Sequence, residues 1–261
     1  MRASEGSPPP LPKRLASVWY RHMRVYTRNL VSNGLPPFLE PIIFLVGIGL
    51  GLGRYIAEMD GIPYLVFLAT ALPVTSAMFT SAYECTFGTF VRLEYQKAYD
   101  GMVAAPVTVT DLFVGELLWA GTKGLFFSAC VVLVMALFGA LPLPAGLVAL
   151  PIGFFTGTMF GALSLIVTAF VKNINHFNFY FTGLLSPMFF FAGTVFPLES
   201  LPRVLRPLAE LLPLTHPVRL TRSLITGRLS AVLWADLAFL LVATAFAGWY
   251  GIRRLRARIV L

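Results

Sequence analysis

The stretch Phe177-Asn-Phe-Tyr-Phe-Thr-Gly-Leu-Leu-Ser-Pro187-Met-Phe-Phe-Phe-Ala-Gly-Thr-Val-Phe196-Pro-Leu-Glu-Ser-Leu-Pro202 decides how this chain is read. It opens with the aromatic and apolar character of a membrane helix, meets Pro187 among phenylalanines, and then turns polar and proline-rich. An amphipathic continuation ends in Leu211-Leu-Pro-Leu-Thr-His-Pro-Val-Arg-Leu-Thr-Arg222. A soluble core has no use for this arrangement, and a plain anchor does not need it. Irregular backbone at membrane depth persists only where protein or a water-lined cavity satisfies its polar groups. The stretch therefore predicts a helix broken at Pro187 and a path through the bilayer.

Composition agrees with a membrane setting. Of 261 residues, 57% are hydrophobic and only 12% charged, whereas soluble domains carry about 25% charged residues. Working outward from residue 177, six apolar segments are predicted as spans, at 36–53, 62–83, 112–141, 145–171, 177–195 and 231–250. Each lies near the ~20 residues a spanning helix needs. An even number puts both termini on one side. Thirteen basic residues fall on that side, Arg2 among them, and six on the other, Arg54 and the five arginines 203, 206, 219, 222 and 228. The positive-inside bias then places both termini in the cytoplasm. It also explains the net charge of +8, which in a soluble protein would suggest nucleic acid. The five arginines in the last loop strain the rule. No apolar run precedes Leu35, so no cleavable signal peptide is expected, and Cys85 and Cys130 are expected to be free thiols inside apolar runs.

Residues 12–33 predict a helix of another kind. Leu15, Val18, Trp19, Met23, Tyr26 and Leu30 recur at helical spacing on one face, with Arg14, Arg21, Arg24 and Arg28 opposite. A basic amphipathic helix of this sort lies in the membrane interface. Between the second and third spans, residues 94–111 read as a short helix, a stop at Ala105-Pro106, and a helix opened by Thr110/Asp111 as N-cap. That segment is either a plain connection or a rigid docking element.

Catalytic chemistry finds no foothold. There is no phosphate-binding Gly-x-x-x-x-Gly-Lys-Ser/Thr loop, no His-Glu-x-x-His, no paired-cysteine metal spacing and no Gly-x-Ser-x-Gly elbow. The chain is not expected to be an enzyme, and no catalytic, cofactor or metal residues are assigned. Ionisable residues inside spans default to functional hypotheses. Here they are Glu40, Glu84, Lys123 and Asp236, with Lys123 either snorkelling or pairing with a carboxylate such as Glu84. Gly47 and Gly51 in the first span and Gly153, Gly157 and Gly161 in the fourth allow helices to approach closely, within the chain or between subunits. The aromatics of the fifth segment either face lipid or line a path.

Together these residues resemble the type-2 ABC exporter permeases, especially the branch of nodulation-factor and anthracycline export permeases. The resemblance rests on Glu40-Pro41 with Gly47–Gly53, on Phe67-Leu-Ala-Thr-Ala-Leu-Pro followed by Thr75-Ser-Ala-Met78, and on Ala104-Ala-Pro-Val with Gly115-Glu116. Its most specific part is Phe196-Pro-Leu-Glu-Ser-Leu-Pro leading to Leu211-Leu-Pro-Leu-Thr-His-Pro. One departure is Ala71-Leu-Pro, where the family has proline-glycine.

The resemblance implies an all-α membrane protein forming a single permease domain over residues 1–261. It would have six spans, an interfacial elbow helix at 12–33, a coupling region at 94–111 and a re-entrant helical hairpin or outer gate at 187–228. It also implies two copies of a separate ATP-binding subunit, which would hold ATP and Mg, and a second permease subunit making a homodimer. Coupling would fall to Tyr95, Tyr99, Asp100, Ala105, Pro106 and Asp111. Path and outer gate would involve Glu40, Lys123, Pro187, Phe189, Phe190, Phe191, Phe196, Pro197 and Glu199. The expected setting is a bacterial cytoplasmic membrane. A rival reading is an ion-coupled secondary transporter using Glu40, Lys123 and Asp236 as carriers; an intramembrane enzyme would need a catalytic cluster that is not visible.

Overall fold

A computed structural model describes residues 9–53 and 55–260, so Arg2 and Arg54 of the charge count lie outside the described residues. The chain is almost entirely helical, and its elements follow from their local sequence. Helix α1 (Leu11–Arg28) starts with proline in its first turn, where a missing N–H costs nothing. It stops at Asn29, and the next helix begins immediately. Across this corner the Tyr26 hydroxyl donates to the Asn33 carbonyl (2.6 Å) and the Asn33 amide donates to the Tyr26 carbonyl (2.8 Å). Helix α1 is thus shorter than the helix expected over residues 12–33, because this clamp returns residues 30–33 to the next helix.

Five helices are long and apolar enough to cross a membrane: α2 (Leu30–Gly49), α3 (Tyr64–Tyr95), α5 (Val109–Leu137), α6 (Leu143–Phe170) and α10 (Val232–Val260). Between α2 and α3, strands β1 (Glu58–Met59) and β2 (Ile62–Pro63) form a hairpin around Asp60-Gly61, both with positive φ, the conformation a two-residue turn requires. Between α3 and α5 lies the short helix α4 (Ala98–Val103). The N-cap of α5 is Thr108, not Thr110/Asp111. Its side chain accepts from the Asp111 N–H while Asp111 accepts from the Thr108 N–H, a reciprocal capping box.

The fifth segment departs from the sequence expectation. Residues 177–191 form one continuous helix, α7, which Pro187 does not break. A π-helical turn at Phe181–Leu185 precedes it, and Pro187 enters the first turn of a fresh α segment, where no N–H is called on. The helix ends at Ala192, and Gly193 turns the chain with φ +80°. At 1.5 Å per residue, α7 spans about 22 Å, less than the ~30 Å hydrocarbon core. Two helices follow, α8 (Arg206–Glu210) and α9 (Thr215–Thr226).

Helix α3 is the centre of the fold and α6 packs beside it. A side chain at Gly157 would collide with Ser81 Oγ (2.7 Å) and the Ala120 carbonyl (2.9 Å), and one at Gly161 with the Ala120 Cβ (2.9 Å). One at Gly153 would overlap Ser128 Oγ. The glycines of α6 therefore serve contact between α3, α5 and α6 within the chain. Ser81 and Ser128 donate across those contacts to the Ala120 and Pro73 carbonyls. By contrast, a Cβ at Gly47 or Gly51 meets nothing within 4 Å, so these two hold no close approach inside the chain. Cys85 and Cys130 are buried free thiols.

Candidate functional site

At the end of the molecule that carries the two described termini, a buried charge network joins three elements. Glu84 and Arg92 lie eight residues apart on α3, and Gly88 between them leaves room for the guanidinium to lie across (Nη1–Oε1 2.7 Å). Lys123 of α5 reaches the other Glu84 oxygen at 3.0 Å, choosing the pairing that sequence left open. Arg92 Nε also donates to Glu116 on α5 (3.1 Å), and Thr89 donates to the second Glu116 oxygen (2.9 Å). The hydroxyl of Tyr99, on α4, completes the set by donating to Glu116 and accepting from Arg92 (3.2 Å). Buried charges persist only when paired and hydrogen-bonded, and here each is.

Helix α1 is seated on the same network. Val18 fills the space left by Gly115, Trp19 Nε1 donates to Thr122 Oγ1 (2.9 Å), and His22 stacks on Trp119. Arg14, expected on the basic face opposite the apolar one, pairs with Asp111 at 2.6 Å. Burial pushes the His22 imidazole down to about 4, against the opposing pull of Glu116, so the ring is neutral at physiological pH.

Over this base the residues of 94–111 divide in two. Tyr99 and Asp111 are buried and hold the segment down. Tyr95, Asp100, Ala105 and Pro106 are exposed and form its outer surface. Lys97, with φ +48°, makes the sharp corner between α3 and α4.

The second feature is a groove between α2, α3, α5 and α7. One cavity of about 210 Å³ is lined by Glu40, Phe44, Ser76, Phe79, Phe189 and Phe190, among others. A second, of about 420 Å³, adjoins it through Glu40 and Phe79 and continues to Thr80, Tyr83 and Phe127. Phe44 and Phe79 lie 5.7 and 6.3 Å from Phe189, centroid to centroid. Of the residues assigned to the path, Glu40, Phe189 and Phe190 meet here. Lys123 belongs to the charge network, and Pro187 is exposed and lines neither cavity.

Phe191 and Phe196 stack edge to face (6.4 Å) at the opposite end of the molecule. There Pro197 and Glu199 line a separate cavity of about 180 Å³ with Arg222. Four of the five arginines that strained the charge rule are fastened in this region. Arg206 donates to the Leu201 carbonyl and Arg228 to Asp60. Arg222 lies over the Phe67 ring (3.6 Å) and donates to Thr70. Arg219 pairs with Glu210 and with fully buried Asp236, which His216 also contacts at 2.8 Å. Asp236 is therefore a tie between α9 and α10.

Sequence reasoning gave Arg92, Thr89 and His22 no site role, and used Glu116 only within the Gly115-Glu116 motif of the resemblance. The available signal was spacing: Glu84 and Arg92, and Glu116 and Lys123, sit two turns apart on one helix face. Among the described residues, no group of three or more His, Cys, Asp or Glu side chains is arranged to hold a metal.

Comparison with known proteins follows the same lines. A family model described as ABC-2 type transporter matches residues 13–226. The chain is 36% identical over 220 residues to nodulation protein J of Sinorhizobium fredii (strain NBRC 101917 / NGR234), covering 84% of each chain. It is 34% identical over 211 residues to nodulation protein J of Rhizobium meliloti (strain 1021), covering 81% of this chain and 80% of that one. It is 22% identical to the inner membrane transport permease YadH of Escherichia coli (strain K12) over 204 residues, 78% of this chain and 79% of that one.

Proposed function

The chain belongs to the ABC-2 type transporter family, and from that premise we propose that it is the permease subunit of an ATP-driven exporter in a bacterial cytoplasmic membrane. In this reading α7 joins the five long helices as a sixth crossing and both termini are cytoplasmic. Residues 187–228 form a re-entrant outer gate. Two copies of a separate ATP-binding subunit hold ATP and Mg, and a second permease copy completes the path. The cargo is an amphiphile: a lipo-oligosaccharide or polysaccharide, a drug or a lipid.

The observation that carries this reading is the division of residues 94–111. Exposed Tyr95, Asp100, Ala105 and Pro106 offer a surface to a partner, while buried Tyr99 ties that surface to Glu116 and Arg92. A push on α4 therefore reaches α3 and α5 through hydrogen-bonded charge. Helix α1, held by Arg14 and Val18, moves with them. The groove beside Glu40 and Phe189 lies on the same two helices further along, where a rotation alters its width.

The test is reconstitution of the permease with its ATP-binding partner. Tyr95→Ala combined with Asp100→Ala should abolish ATP-driven transport and substrate-stimulated ATP hydrolysis, while the partner alone still binds ATP. Undiminished transport in that variant overturns the coupling role. Transport that follows an ion gradient without any ATP-binding subunit would favour the ion-coupled rival instead.

A further inference from the structure

The groove carries a feature that export as such does not demand. Glu40 is exposed on its wall, on a helix apolar enough to cross a membrane, and among the described residues no cation lies within ion-pair distance of it. Among the described residues of the helices that line the groove, the basic side chains Lys123 of α5 and Arg92 of α3 are both committed to Glu84. An unpaired carboxylate facing apolar surroundings is costly and calls for a positive partner. A second group points the same way: Ser76 is 4% exposed, lines the same cavity, and its hydroxyl has no hydrogen-bond partner. Around these two polar groups stand the rings of Phe44, Phe79, Phe189 and Phe190, whose faces attract cations and pack against hydrocarbon.

The position of Glu40 completes the argument. It belongs to both adjoining cavities, so it sits where they meet, with apolar lining on either side. We propose that the groove binds an amphiphile with a cationic headgroup, and that Glu40 sets this charge preference. The headgroup rests against the carboxylate, Ser76 and the ring faces, and the apolar chain lies along Phe79 and Phe127. A cavity of about 210 Å³ is smaller than a typical drug site of 300–1,000 Å³, so it holds one segment of the molecule. The proposal rests on reading the groove as the export path.

Binding to the full-length chain in phosphatidylcholine nanodiscs tests it, corrected against empty discs. The probes share one chain and differ in head: dodecyltrimethylammonium, dodecyl maltoside and dodecyl sulfate. The ammonium probe should bind about tenfold or more tightly than the maltoside, and the sulfate most weakly, as expected for an ion pair shielded from water. E40Q should remove the ammonium advantage over the maltoside, while E40D retains part of it. Equal affinities for the three heads, or a preference that survives E40Q, overturns the proposal. The comparison on the unmodified chain decides the matter even where E40Q fails to fold. No ATP-binding subunit takes part, so this outcome is separable from that of the export reading. Charge-selective binding without ATP-driven movement refutes export alone, and ATP-driven movement of a neutral amphiphile without charge selection refutes this proposal alone.

Discussion

Glu116 shows what a single side chain contributes here. It is 1% exposed and accepts from Arg92, Thr89 and Tyr99. Replacing it with alanine leaves Arg92 and Lys123 sharing the one carboxylate of Glu84, and removing one partner of a buried pair costs about 3–5 kcal/mol. Thermal unfolding in detergent should show a large drop for Glu116→Ala and a smaller one for Glu116→Gln; an unchanged midpoint would remove the network from the stability account. His22 gives a pH signature. Its folded value, about 4, lies below the usual 6.5, so the unfolded chain takes up a proton more readily between those values. The contribution is intact above about 6.5 and lost as pH falls toward 4. The unfolding midpoint should therefore decline from pH 7 to pH 5, and His22→Phe, which keeps the stacking on Trp119, should flatten that decline. Glu84 and Lys123 were legible as intramembrane charges. Glu116 was not, since its partners converge from α3 and α4, and only the fold brings them together.

At the scale of elements, the glycines of the chain divide by what surrounds them. Gly157→Ala drives a methyl group into the Ser81 hydroxyl and the Ala120 carbonyl, and overpacking of this kind costs about 1–3 kcal/mol. Gly47→Ala meets open space and trades a poor helix former for a good one, worth up to about 1 kcal/mol. Denaturation of the two variants in one detergent should move in opposite directions, or leave Gly47→Ala unmoved; equal destabilisation would contradict the packing. Repeats of small residues look alike in sequence, and only the neighbouring helix tells them apart. Two boundaries were misread for local reasons. Thr108 and Thr110 are both competent caps, but the Thr-x-x-Asp spacing to Asp111 selects Thr108. Pro187 signals a break, and the π-turn that absorbs it at Phe181–Leu185 has no mark in composition. The spans α3, α5, α6 and α10 were legible because apolar length alone defines them.

For the whole molecule, polar ties gather at the two ends and the middle is held by apolar and small-residue contact. At one end Arg258 reaches Glu94 (2.7 Å); at the other Arg219 reaches Asp236 and Arg228 reaches Asp60. Asp236→Ala should loosen one end only. Hydrogen exchange should rise across residues 193–228 and stay unchanged in α1 and α4; a uniform rise would mean that the pair supports the entire fold. The last loop was legible as a folded element only through the family resemblance, and the fastening of its arginines was not, since Phe67, Thr70 and Asp236 come from other helices and Asp60 from the β-hairpin. The central position of α3 bears finally on how the protein is made. Most of α3 is buried, while α2 and α10 are largely exposed. Yet α3 emerges from the ribosome second, long before the helices that cover it. Its Ser81, Glu84, Thr89 and Arg92 must therefore wait in the insertion machinery or among lipid headgroups until α5 is delivered. Synthesis runs from the outside of this protein to its centre and out again, and in the interval between α3 and α5 the polar side chains of α3 lack the partners that α5 brings.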